Sequence, residues 1–173
     1  YRRQRQMCIR DSTNIEECLN GTHPRVKEGA EARKLELEVR VIPDELRHRL
    51  KLKPFYQKVL TLGAFPVVSS EKVSDYALLE AGYLIHQMLE GRDDILDAMA
   101  RNKIRFTIMA CDEFTTQVPE HSDLEPPKFW DKRARGLGST HRRPAVSCGE
   151  ENLLRIDGDP YRAENILIHE FAH

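Results

Sequence analysis

The chain closes on AENILIHEFAH, Ala163–His173. Its spacing predicts a helix. Leu167 with Phe171, and Ile168 with Ala172, stand four apart and form an apolar stripe expected to face a core. His169 and His173 are also four apart. Four residues on a helix advance by about 400°, so both imidazoles project to one side, one turn apart. That separation lets two ring nitrogens reach one Zn²⁺ at about 2.0–2.1 Å. Glu170, rotated by about 100° from His169, is placed to take a proton from a metal-bound water. Asp159-Pro160 is expected to begin this helix, with Asp159 as N-cap and Pro160 in the first turn.

Upstream of it, PAVSC (Pro144–Cys148) is short and apolar and reads as a strand, and its leading proline places it at a sheet edge. Residues 112–140 are rich in Pro, Gly, Asp and Thr and read as loop, with one helical turn at Phe129–Ala134. KIRFTIMA (Lys103–Ala110) is β-branched and aromatic, a strand. Asp93 caps a helix that runs to Ala100. Before it, Ala77, Ala81, Leu84, Ile85 and Met88 recur at helical spacing, with Ser74 as N-cap, its hydroxyl taking a backbone N–H, and Gly91 at C′. FPVV (Phe65–Val68) is a strand. Pro54 is expected to open a short helix stopping at Gly63, and Pro43 opens another in PDELRHRL. LELEVRV (Leu35–Val41) alternates apolar and charged residues, the pattern of a half-buried strand. There are no internal repeats. Strands and helices interleave irregularly, which makes the fold α+β: a small mixed β-sheet with packed helices and the histidine-bearing helix at its C-terminal end.

The 173 residues suffice for one domain with a substantial core. No apolar run approaches the roughly 20 residues that cross a bilayer, and the basic start is not followed by the apolar stretch of a signal peptide. MCIRDS (Met7–Ser12) back-translates to a sequence resembling a transposon adapter used in sequencing libraries. Tyr1 to about Ser12 is therefore read as an assembly artefact, against the rival reading of a basic arm. Residues 13–34, turn-rich with Asn20-Gly21 and His23-Pro24, read as a linker or upstream remnant, and residues 35–173 as the domain proper. Setting aside Arg2, Arg3, Arg5, Arg10 and Asp11 takes the 27 basic and 28 acidic residues to 23 and 27. A mildly acidic body argues against a nucleic-acid partner. With Cys8 also set aside, Cys18, Cys111 and Cys148 lie far apart without a C-x-x-C pair. They indicate neither a zinc ribbon nor a disulfide framework, and leave one bridge open.

His169-Glu170-x-x-His173 is the H-E-x-x-H pattern of metalloproteases. AENILIHEFAH resembles the active-site helix of the zincin metallopeptidases. PVVSSEKVSDYALLEAGYLIHQML (Pro66–Leu89) and RPAVSCGEENLL (Arg143–Leu154) further resemble a group of zincin-like proteins related to the gluzincins. The resemblance spans Val41–His173, and only His169, Glu170 and His173 carry over as functional positions. It implies hydrolysis of peptide or protein substrates by a zinc-activated water, with His169 and His173 as metal ligands and Glu170 as general base. It implies a third ligand, in gluzincins a glutamate on a later helix, so the visible chain reads as a truncated fragment with weak zinc affinity and negligible activity. It also implies that an edge strand binds extended substrate, for which Pro144–Cys148 is the candidate. Other readings are a zincin-fold binding module without catalysis, a zinc hydrolase of non-peptide substrates, and a helix end whose histidines merely favour the C-terminal dipole.

The remaining candidates are weaker. His86 is expected to be a structural residue of its helix. His121 and His141, in loops near the expected cleft, are secondary candidates for touching substrate or metal. Glu150 and Glu151 read as a solvated turn, Tyr161 as packing, and Phe129 and Trp130 as anchors of the long loop. Asp112–Leu124 is oxygen-rich but lacks the spacing of a calcium loop.

Overall fold

The computed structural model describes residues 36–173. By its contacts the chain divides into two units, Tyr1–Leu37 and Glu38–His173, and the account below concerns the second. The adapter and linker readings, with Cys8 and Cys18, lie outside the described residues. Among the described residues no helix is long and apolar enough to cross a membrane.

The fold is α+β, built on one six-stranded mixed sheet. Its strands are β1 (Arg40–Val41), β2 (Lys58–Leu62), β3 (Phe65–Ser69), β4 (Arg105–Met109), β5 (Gly136–Leu137) and β6 (Ala145–Gly149), in the spatial order β1-β2-β3-β4-β6-β5. The helices are α1 (Asp44–Leu50), α2 (Asp75–Met88), α3 (Asp93–Arg101), α4 (Pro127–Arg133), α5 (Glu150–Leu153) and α6 (Ile166–Phe171). β3, β4 and β6 run parallel, with β1, β2 and β5 completing the sheet by antiparallel pairing. Every residue of β3, β4 and β6 is buried, as parallel strands covered on both faces must be.

Two expectations about the first half fail. Only Arg40–Val41 of the alternating stretch pairs as a strand, and Val41 is 78 % exposed. The helix expected from Pro54 to Gly63 is instead β2, paired residue for residue with β3 from Lys58↔Ser69 to Leu62↔Phe65. Val59 and Thr61 are β-branched, and Gly63 turns the chain at φ +56, so the segment has the chemistry of a hairpin strand. α2 forms where expected, burying Ala77, Leu78, Ala81 and Ile85, but Leu84 is half-buried, Met88 is 36 % exposed, and the C-cap is Leu89, so Gly91 falls one residue beyond C′. Ser74 is its N-cap, but its hydroxyl makes no capping bond; its own N–H donates to Glu150 Oε2 at 2.8 Å. α3 begins at Asp93 with Arg92 as N-cap.

The two faces of the sheet carry different structures. Phe106 and Ile108 point to one face of β4, and Arg105, Thr107 and Met109 to the other. On the first face Phe171 of α6 meets the rings of Phe65 and Phe106 at 5.8 and 6.2 Å. On the second face α1 and the following loop close a core of Ile42, Leu46, Leu50, Leu52, Tyr56, Val59 and Val68. Tyr56 reaches Thr107 Oγ1 at 3.3 Å there and also bonds Glu120, whose carboxylate is clamped by Arg105 with an Nε–Oε1 distance of 3.0 Å.

PAVSC is a strand, but not an edge. β6 lies between β4 and β5, and Gly136 and Leu137 of β5 pair with Cys148 and Ser147. Pro144 needs no edge because it precedes the strand, and its carbonyl accepts the Arg105 N–H at 3.2 Å. The loop from 112 to 140 holds more structure than its composition suggests: two 3₁₀ turns, α4 and the edge strand β5 itself.

Candidate functional site

α6 starts later than Asp159-Pro160. Its N-cap is Asn165, whose side chain accepts the Ile168 N–H at 3.1 Å. Asp159 instead turns the chain upstream, accepting the Tyr161 N–H at 2.8 Å and an Asn152 amide proton at 2.9 Å. The buried side of α6 is Ile166, Leu167 and half-buried Phe171, while Ile168 is 44 % exposed and Ala172 is exposed. The expected stripe is therefore rotated: Leu167 and Phe171 face the core, and Ile168 and Ala172 face solvent beside the histidines.

His169 and His173 lie in the open, with ring centroids 5.1 Å apart and planes inclined at 65°. This spacing fits a shared metal. Each ring centroid stands roughly 1.1 Å behind its nitrogen, so two imidazoles on one tetrahedral ion are about 5 Å apart centre to centre. Glu164 lies beside the first of them, its Oε2 3.4 Å from His169 Nδ1. Among the described residues no group of three or more His, Cys, Asp or Glu side chains is arranged to hold a metal ion.

Glu170 is half-buried on the flank of α6 that faces β5. A Cβ added at Gly138 would stand 3.4 Å from Glu170 Oε2 and 3.4 Å from His173 Cβ. A Cβ at Gly136 would strike the Ile166 side chain and come within 2.6 Å of the Ser147 carbonyl oxygen. Gly136 and Gly138 are two apart and so point to the same face. Leu137 points to the other, where its N–H donates to Ser147 Oγ at 3.1 Å. The bare side of the edge strand is thus turned to the helix. The alternating glycines of Gly136-Leu137-Gly138 were legible in the sequence; the pairing of Gly136 and Leu137 with β6 was not.

Behind the site is a run of buried polar residues. Glu150 and Glu151 are each 7 % exposed and Asn152 5 %, so the solvated turn expected there is wrong. Glu150 accepts the backbone N–H of Ser74 and of Cys111. Glu151 pairs with Arg135 through Nε at 2.5 Å and Nη2 at 2.9 Å. Asn152 accepts the Ile166 N–H at 2.7 Å, at the first residue of α6.

The secondary candidates lie elsewhere. His121 is fully buried on the opposite face of the sheet, with Nε2 3.1 Å from Ser147 Oγ and Nδ1 without a partner. Burial holds its pKa down to about 4, and it can touch neither substrate nor a metal at His169. His141 is exposed in the turn joining β5 to β6, and His86 is half-buried on α2. The Tyr161 hydroxyl donates to the Arg133 carbonyl. Trp130 Nε1 donates to the Glu125 carbonyl at 3.2 Å, and Phe129 packs edge-on against it. The oxygens of residues 112–124 are engaged within the fold: Asp112 pairs with Lys72, and Glu113 accepts the Ala110 N–H. Cys111 and Cys148 are both free thiols. Burial pushes Cys148 well above the usual thiol range, and desolvation with the Glu150 carboxylate pushes Cys111 up to about 11, so neither is an activated nucleophile.

No family model matches the chain, and neither a curated protein nor a solved structure matches it.

Proposed function

We propose that this protein is a zinc-dependent metallopeptidase in which His169 and His173 hold the metal and Glu170 is the general base. The observation that carries the reading is the imidazole pair at 5.1 Å, on a helix whose intervening glutamate lies against the edge strand. Zinc held there would supply a Lewis acid and would lower the pKa of a water to about 7.

The chain's own residues do the rest. Glu170, flanked by the two histidines along the helix, takes the proton from the attacking water and delivers it to the leaving amine. β5 offers its outer backbone edge to a peptide in extended conformation, and the absence of side chains at Gly136 and Gly138 lets α6 bring Glu170 up against that stretch. This moves the substrate-pairing role from Pro144–Cys148, which is interior, to Gly136–Leu137. His169 and His173 alone would hold zinc weakly, and turnover by this chain would be negligible.

Zinc titration of the 173-residue chain by calorimetry tests the assignment. His169→Ala and His173→Ala should each weaken binding by about tenfold or more, and Glu170→Gln should leave it intact. Zinc binding indifferent to both histidine substitutions would sink the reading. Robust hydrolysis by the chain, abolished in Glu170→Gln, would keep the chemistry but overturn the weak two-ligand site.

A further inference from the structure

We infer that the turn Glu150-Glu151-Asn152 positions the candidate site, holding the edge strand with one side chain and the histidine-bearing helix with the next. The inference rests on the metallopeptidase reading for its purpose, though not for its geometry. Glu151 grips Arg135, the residue immediately before β5, at 2.5 and 2.9 Å. Arg135 is held from the other side by the carbonyls of Ala110, at 3.1 Å, and Glu113. Asn152 Oδ1 accepts the Ile166 N–H at 2.7 Å, and its Nδ2 faces the Glu164 and Tyr161 carbonyls and Asp159 Oδ2 at 3.1, 3.2 and 2.9 Å. Neighbouring residues of one turn therefore anchor both the chain entering β5 and the first residue of α6. Glu150 anchors the turn itself through the N–H groups of Ser74 and Cys111.

Stability alone does not account for this choice of residues. A buried ion pair is often no more stabilising than well-packed apolar side chains of similar volume, because both charges lose their hydration. What a bidentate Arg–carboxylate pair and a fully used amide supply is direction. Asn152 and Glu151 touch neither substrate nor metal in this arrangement; they are positioning residues.

Amide hydrogen exchange of the full chain, read alongside zinc titration, tests the inference. In Asn152→Ala the amides of β5 and α6 should exchange together, each about tenfold or more faster, while those of β3 and β4 keep their protection. Zinc affinity should fall by about tenfold in the same variant. Glu151→Gln, a milder change that retains part of the Arg135 contact, should give the same paired loosening if Asn152→Ala does not fold. Loosening of α6 alone in Asn152→Ala, with β5 alone in Glu151→Gln, would overturn the inference. So would unchanged zinc affinity in a loosened Asn152→Ala. If the unsubstituted chain takes up no zinc while the paired loosening is seen, the positioning geometry stands and the metallopeptidase reading falls.

Discussion

The carboxylate of Glu170 lies against the backbone of Gly138, its Oε2 3.4 Å from the point where a Cβ on that glycine would stand. Gly136 and Gly138 put no side chain between this stretch and α6. Gly136, in the edge strand, and Gly138, just beyond it, nevertheless differ in what they tolerate. At Gly136 an added methyl meets the Ile166 side chain and a rigid backbone oxygen, that of Ser147, at 2.6 Å. Gly136→Ala should therefore cost about 1–3 kcal/mol by overpacking. At Gly138 the methyl makes ordinary contacts, and Gly138→Ala should change stability by less than about 0.5 kcal/mol. Thermal unfolding of the two variants decides it; equal stabilities would mean that α6 does not press on β5 at Gly136.

Arg135 and Glu151 form an ion pair whose side chains are 12 % and 9 % exposed. Removing one partner strands a charge largely out of reach of water. Arg135→Ala and Glu151→Ala should each lower the unfolding free energy by about 3–5 kcal/mol, and the double substitution Arg135→Met with Glu151→Leu by much less. Urea unfolding of the three variants measures this. Additive losses would show that the two charges do not depend on each other.

His121 gives the fold a pH dependence with a definite sign. Burial dominates its surroundings, with Glu120 and Asp123 favouring the cation and Arg143 and Arg105 opposing it, and its pKa in the folded protein is about 4. An unfolded histidine titrates near 6.5, so between those values the unfolded chain binds a proton that the folded chain refuses. The stability is complete above pH about 6.5 and is lost as pH falls to about 4, by roughly 3 kcal/mol in all. His121→Gln, read against the unsubstituted protein by urea unfolding at pH 7, 5 and 4, should remove that part of the slope. Parallel curves for the two proteins would contradict it.

The histidine pair was legible because it depends on helix geometry alone: residues four apart share a side whatever the rest of the fold does. The start of that helix was misread because Asp159-Pro160 and Asn165 are both good N-terminal signals. What decides between them is Asn152, which uses Asp159 and the carbonyls of Tyr161 and Glu164 to hold the intervening turn. Asn165, four residues before His169, was the cue available in the sequence. β6 was mistaken for an edge because Pro144 lacks an N–H, yet the proline precedes the strand and the true edge is a two-residue strand in a glycine-rich loop. The buried charges were illegible for a different reason. Glu150 and Glu151 owe their burial to Ser74, Cys111 and Arg135, partners that come from distant parts of the chain. Local composition around two adjacent glutamates reads as solvent-facing wherever those partners are unseen.

The most direct test of the account is a zinc titration of the 173-residue chain followed by the histidine ring resonances in NMR. His169 and His173 should shift together with a single binding curve of one ion per chain, while His48, His86 and His141 stay in place and buried His121 is silent. Shifts spread evenly over the exposed histidines, or none at all at His169 and His173, would contradict a metal site on this helix.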